Sequence, residues 1–157
     1  ILELANSLKD NKDFIFYLIG NQNKDPIFGK YLKNYKNIIH LDEIKDRKLL
    51  SNYYRSCDIF VFPSEDDCSP NVILEAMASG LPILTVDSGG IKELIEKNDL
   101  IGGLYIDDKN PVMNLHNIIK FYDKFKFNAL EIIKNYHTND LVGLEYEKII
   151  ESLREKK

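Results

Sequence analysis

The 157 residues include no tryptophan, two cysteines, two methionines, five prolines and three histidines. Two cysteines, Cys57 and Cys68, cannot build a disulfide scaffold or an all-cysteine zinc site. His40, His116 and His137 lack the spacing of a metal-ligand set. No Asn-x-Ser/Thr triplet occurs. No apolar run approaches the ~18 residues that a membrane-spanning helix needs, and no signal-peptide pattern opens the chain. A surplus of positive charge is missing too. With 21 Lys and Arg against 25 Asp and Glu, the formal charge is -4, which argues against a broad grip on nucleic acid or an anionic membrane. Neither GxxxxGK[ST] nor GxGxxG is present, which argues against phosphate-loop ATPases and nicotinamide enzymes. What these absences leave is a soluble protein of a reducing cytosol, long enough for one domain with a substantial core.

What is present is alternation. The chain opens without Met in ILELANSLKD, apolar at 1, 4, 5 and 8, the spacing of one helical face. Such a start inside a helix is expected of a piece of something larger. FIFYLIG (14–20) is a continuous apolar run and predicts a strand buried on both faces. A helix near 27–35 and a strand at 37–41 follow. Asp46 can cap a helix over 47–56, which feeds a strand at 58–62. Next come a helix at 70–79, a strand at 82–86, a short helix over 90–97 and a strand near 103–106. From Pro111 onward the pattern is helical. Strands alternating with helices imply an α/β fold, a Rossmann-like, doubly wound and mostly parallel sheet flanked by helices, with a helical C-terminus. The final helix carries an apolar stripe at Val142, Tyr146, Ile149, Ile150 and Leu153. It is expected to pack on the protein's own sheet, with a partner domain as the other option.

The chemistry is concentrated in DIFVFPSEDDCSPNVILEAMASGLPILTVDSGG, residues 58–90. After the strand ends at Phe62-Pro63, the chain enters the crevice beyond the carboxyl ends of the strands, where open α/β sheets bind ligands. Ser69 is expected as the N-cap and Pro70 as the first helical residue. Gly80 would close the helix, with Pro82 just beyond. The free N–H groups of Asn71 and Val72, at the positive end of the helix dipole, then form an anion site suited to phosphate or diphosphate. Glu75, four residues after Asn71, shares that face and can accept hydrogen bonds from the two hydroxyls of a ribose. Its sequence neighbours are apolar, so its carboxylate is expected to have a partner. Asp67, in the loop ahead of the helix, would face the group beyond the diphosphate. The plainer alternative for Glu65, Asp66 and Asp67 is an exposed acidic turn.

These residues resemble the nucleotide-sugar-binding core of retaining glycosyltransferases of the GT-B fold. Their signature is an acidic residue, seven residues, then Glu in a Leu-Glu-Ala-Met segment, followed by Gly-x-Pro, a strand and a Gly-Gly turn. Asp67 and Glu75 match the acidic pair, Gly80-Leu81-Pro82 the Gly-x-Pro, and Ser88-Gly89-Gly90 the turn. The resemblance implies that residues 1–157 form one donor-binding domain of a two-domain enzyme. Asp67 would be the catalytic-site carboxylate on a donor-sugar hydroxyl and Glu75 the ribose holder. The backbone at 70–72, with Ser69, would take the diphosphate, Gly20 would line the cleft near the phosphates, and Leu41 and Asp42 would border the base. The implied reaction transfers a hexosyl group from a nucleoside-diphosphate sugar to a glycan or lipid-linked acceptor. It retains anomeric configuration and needs no metal or other cofactor. Implied partners are the nucleotide sugar and an N-terminal acceptor-binding domain, with a membrane contact of the whole enzyme left open and nucleic acid not expected.

Two departures stand out. Asp67 occupies a position where Glu is commoner. The strand, Arg and Lys that the family places around the opening helix are not in this sequence, so the 157 residues alone are expected to be inactive. A helix terminus supplies only ~0.5 of a charge, worth up to ~2 kcal/mol, so a departing diphosphate needs cationic help. Three alternatives remain at this point. They are a metal-dependent transferase holding its ion on Glu65-Asp66-Asp67, a nucleotide-sugar epimerase, and a non-catalytic structural or partner-binding module. A phosphoacceptor signalling domain fails, because Gly20-Asn21 and Asp87-Ser88 stand where its acids and lysine belong.

Overall fold

A computed structural model describes residues 1–20, 32, 34–65, 67, 69–107 and 109–154. The chain alternates as expected. Helix α1 (Leu2–Ser7) is followed by β1 (Phe16–Ile19), β2 (Ile38–Leu41) and α2 (Arg47–Ser56). Then come β3 (Phe60–Phe62), α3 (Asn71–Ala78), β4 (Ile83–Thr85) and α4 (Ile91–Ile95). Strands β5 (Glu96–Lys97), β6 (Leu100–Ile101) and β7 (Gly103–Tyr105) precede helices α5 (Met113–Lys120), α6 (Tyr122–Tyr136) and α7 (Asn139–Arg154). Of the helix expected near 27–35, only residues 32, 34 and 35 are described, and among them Leu32 alone is helical.

The long-range pairing is parallel, in two groups. β1 pairs with β2, from Phe16 opposite Ile38 to Ile19 opposite Leu41. The second sheet has the order β3-β4-β7, with Ile83 opposite both Phe60 and Gly103. A Cβ at Gly103 would collide with the Ile83 carbonyl, so only glycine allows the two strands to approach so closely there.

Two apolar clusters hold the layers together. One gathers Ile73, Ala76 and Met77 of α3, Ile83 of β4, Ile91 and Ile95 of α4, and Ala129 and Ile132 of α6. The other joins Leu4 and Leu8 to Leu84, Leu115, Ile118 and Phe125, with Phe14, Phe16, Ile59 and Val61 against it. Residues from both parallel sheets therefore pack into the cluster that α1 anchors. The Asn37 side-chain amide donates to the Ala5 carbonyl at 2.9 Å, tying β2 to the same helix.

Three expectations need correction. β1 is not buried on both faces: Tyr17 is 44% exposed and Ile19 37%, while Phe16 and Leu18 turn inward. Among the described residues that outer face meets an aromatic neighbour in Tyr53, its ring 6.0 Å from Tyr17. The helix expected over 90–97 stops at Ile95, and Glu96–Lys97 turn into a hairpin with Leu100–Ile101. Asn98 sits at φ 50°, the left-handed conformation a tight turn requires. Finally, α7 buries none of its residues. Its stripe does not pack on the protein's own sheet; Tyr146 is 64% exposed and Leu153 60%.

Candidate functional site

The predicted site residues fall at the carboxyl ends of parallel strands, in two places. Gly20 and Leu41 end β1 and β2 side by side, the Gly20 N–H donating to the Leu41 carbonyl at 3.0 Å. His40 Nε2 lies 2.9 Å from the Gly20 carbonyl and fixes that end from the neighbouring strand. Asp42 follows, exposed.

The second place lies beyond β3. Asp67 is exposed, and its Oδ1 accepts the Ser69 N–H at 3.2 Å, a local turn that shapes the approach to α3. Ser69 is therefore not the helix cap. Pro70 is, extended at ψ 114°, with its carbonyl accepting the Ile73 N–H at 3.1 Å. Pro70 has no N–H, so it adds nothing to a phosphate cradle. The N–H groups of Asn71 and Val72 meet no acceptor among the described residues. They point from the first turn of an eight-residue helix whose dipole favours an anion.

Glu75 also differs from expectation. Its apolar sequence neighbours Ile73, Ala76 and Met77 face the core, and the carboxylate stands on the exposed flank of α3. It does have a partner, one that sequence reading did not supply. The Tyr54 hydroxyl of α2 donates to Glu75 Oε2 at 3.3 Å. The Tyr54 ring is half-buried, edge-on to Phe60 at 5.7 Å, and Phe60 stacks along β3 on Phe62 at 6.2 Å. Burial first, then the Glu75 charge and the hydrogen bond, push the phenol up to about 12. Tyr54 thus stays protonated and donating at every ordinary pH.

A cavity of about 430 Å³ opens at the ends of β3, β4 and β7, lined by Glu65, Val86, Asp87, Ser88 and Ile106. Ser88 Oγ donates to the Ser64 carbonyl at 3.3 Å, and Thr85 Oγ1 to the Phe62 carbonyl at 2.8 Å. These bonds hold the start of the acidic loop against β4. The Gly-Gly turn signalled this neighbourhood in the sequence, but not that Asp87 and Glu65 share a cavity. Asp66 and Cys68 lie outside the described residues. Among the described residues, no group of three or more His, Cys, Asp and Glu is placed to hold a metal ion.

A parallel sheet flanked by helices, with the candidate groups at its strand ends, defines a Rossmann-like α/β class of domain. The comparisons with known proteins narrow this. The family model of group 1 glycosyl transferases matches residues 1–124, and the chain belongs to that family. An uncharacterised glycosyltransferase of Haemophilus influenzae is 30% identical over 133 residues, 78% of this chain and 36% of that protein. The O-antigen biosynthesis glycosyltransferase WbnH of Escherichia coli is 28% identical over 138 residues, 85% of this chain and 39% of that protein. The fold matches sucrose-phosphate synthase from Thermosynechococcus elongatus with a TM-score of 0.77 at 17% identity, over 98% of this chain and 42% of that one. It also matches the C-terminal domain of a group 1 glycosyl transferase from Francisella tularensis, with a TM-score of 0.71 at 24% identity, over 86% of this chain and 75% of that one. A third fold match is Anabaena HepE in complex with UDP-glucose, with a TM-score of 0.68 at 20% identity, over 97% of this chain and 44% of that one. The chain spans between a third and two fifths of the length of the two sequence relatives named. No helix among the described residues is long and apolar enough to cross a membrane.

Proposed function

We propose that this domain binds the nucleoside-diphosphate sugar donor of a retaining glycosyltransferase. The observation that carries the reading is the segment beyond β3: an exposed carboxylate at Asp67, N–H groups at Asn71 and Val72 that meet no acceptor among the described residues, then a held carboxylate at Glu75. A donor laid across it would give its sugar hydroxyl to Asp67, its diphosphate to the start of α3 and its ribose to Glu75. Gly20, Leu41 and Asp42 would border phosphates and base. Because the helix terminus meets the diphosphate through N–H groups, this mode of binding needs no metal. In the whole enzyme the hexosyl group would pass to a glycan or lipid-linked acceptor with retention. Printed names of relatives support the donor class. One HepE structure holds UDP-glucose, and a Mycobacterium tuberculosis relative is a GDP-mannose-dependent mannosyltransferase.

Calorimetric titration with UDP, GDP, ADP and their sugar conjugates in EDTA tests this. One diphosphate should bind, and Glu75→Ala should weaken it by ~1.5–3 kcal/mol, the range for hydrogen bonds to a charged group. Asp67→Ala should weaken only the sugar conjugate. Binding abolished by EDTA would return the metal-dependent alternative. An epimerised sugar nucleotide formed without acceptor would make the protein an epimerase. No binding of any diphosphate would leave a structural module.

A further inference from the structure

We propose that Tyr54 is a positioning residue for Glu75, and that the pair, rather than the carboxylate alone, selects a ribose over a deoxyribose in the donor. The inference rests on the donor-binding reading of Glu75. An exposed glutamate on a helix samples several rotamers, and a diol can be gripped only from one of them. Here one carboxylate oxygen is committed. Oε2 accepts from Tyr54 at 3.3 Å, and a carboxylate cannot donate in return, so the sense of the bond is fixed. That leaves Oε1, and the second lone pair of Oε2, to accept from neighbouring hydroxyls.

The donor is itself immobilised. Asp46 caps α2 through Oδ1 to the Lys48 and Leu49 N–H groups at 2.8 and 3.2 Å. Near the other end of α2, the Cys57 N–H donates to the Tyr54 carbonyl at 3.4 Å. The Tyr54 ring packs on Phe60 of β3 and on the cluster that contains Ile73 and Met77 of α3. The hydroxyl that meets Glu75 is thus anchored to the same two elements that frame the candidate site.

The test compares the diphosphate that binds with its 2′-deoxy counterpart by calorimetry, in the unaltered chain, Tyr54→Phe, Glu75→Ala and the double variant. Tyr54→Phe removes one oxygen and keeps the ring, and its melting temperature checks the fold. It should weaken the ribonucleotide about five- to tenfold and the deoxynucleotide, which keeps only its 3′-hydroxyl for Glu75, by less. In the Glu75→Ala background it should add nothing. If Glu75→Ala lowers the ribose preference while Tyr54→Phe leaves it intact, positioning by Tyr54 is refuted and the donor site stands. If Glu75→Ala has no effect on a nucleotide that binds, or none binds, the donor-site reading falls and this inference with it.

Discussion

At the scale of single residues, His137 shows what a missing partner costs. It is half-buried at the junction of α6 and α7, and its Nε2 is buried without a hydrogen-bond partner among the described residues. Burial first, then the nearby Lys97 charge, hold its pKa below the ordinary 6.5. Above pH ~7.5 the ring is neutral in both folded and unfolded chains, and it contributes no pH dependence. As pH falls below that, the unfolded chain takes up the proton first, so stability drops until the folded ring also titrates. His137→Gln should lessen the loss of urea-denaturation stability as pH falls through ~6.5; an unchanged pH slope would contradict the assignment. Tyr54 carries the complementary lesson. A helix between Asp67 and the end of the Leu-Glu-Ala-Met segment was legible from local helix chemistry, with its cap placed one residue early, at Ser69 instead of Pro70. The Tyr54–Glu75 bond spans 21 residues of sequence and depends on how α2 lies against α3, which no local pattern encodes.

At the scale of elements, the start of α2 and the end of α3 were legible, since capping there is chemistry between near neighbours. Asp46 caps α2 as expected. Gly80 follows α3 at φ +83°, with the Leu81 N–H bonded to the Ala76 carbonyl at 3.1 Å and the Gly80 N–H to Met77 at 2.9 Å. That is the paired closure favouring glycine just past a helix. Asp46→Ala should cost ~1 kcal/mol, and Gly80→Ala ~1–2 kcal/mol for a left-handed alanine, both read as denaturation midpoints. Gly103→Ala should cost more, because its obstacle is the main chain of β4 rather than a side chain that can swing away. A loss of ~3 kcal/mol is expected, and a loss under ~1 kcal/mol would mean that β7 shifts freely. The β5–β6 hairpin was hidden for the opposite reason. Ile91 to Lys97 reads as helix by period. What stops it is distant: Glu96 Oε1 accepts from the Tyr105 hydroxyl at 2.7 Å, and the Gly102 N–H donates to the Ile95 carbonyl at 2.8 Å. The inner and outer faces of β1 were equally invisible, since a continuous apolar run has no alternation to read.

At the scale of the whole molecule, apolar surface is unevenly spent. α3, α4 and α6 turn Ile, Leu, Met and Ala inward around β4, while Val142, Leu144, Tyr146, Ile149, Ile150 and Leu153 of α7 remain in solvent. The amphipathic pattern correctly marks α7 as a helix, but periodicity cannot say against what a stripe packs. In the present structure it contributes nothing to the core, which makes a sharp expectation. A triple change of Tyr146, Ile149 and Leu153 to lysine should alter thermal stability by no more than ~0.5 kcal/mol, the range for exposed positions away from special contacts. Six apolar side chains on one exposed helix also favour self-association. The same variant should therefore sediment as a monomer at concentrations where the unaltered chain associates. A fall of several degrees in melting temperature would show instead that the stripe is packed in solution. Equal sedimentation of the two proteins would show that it is too dispersed along α7 to act as one surface.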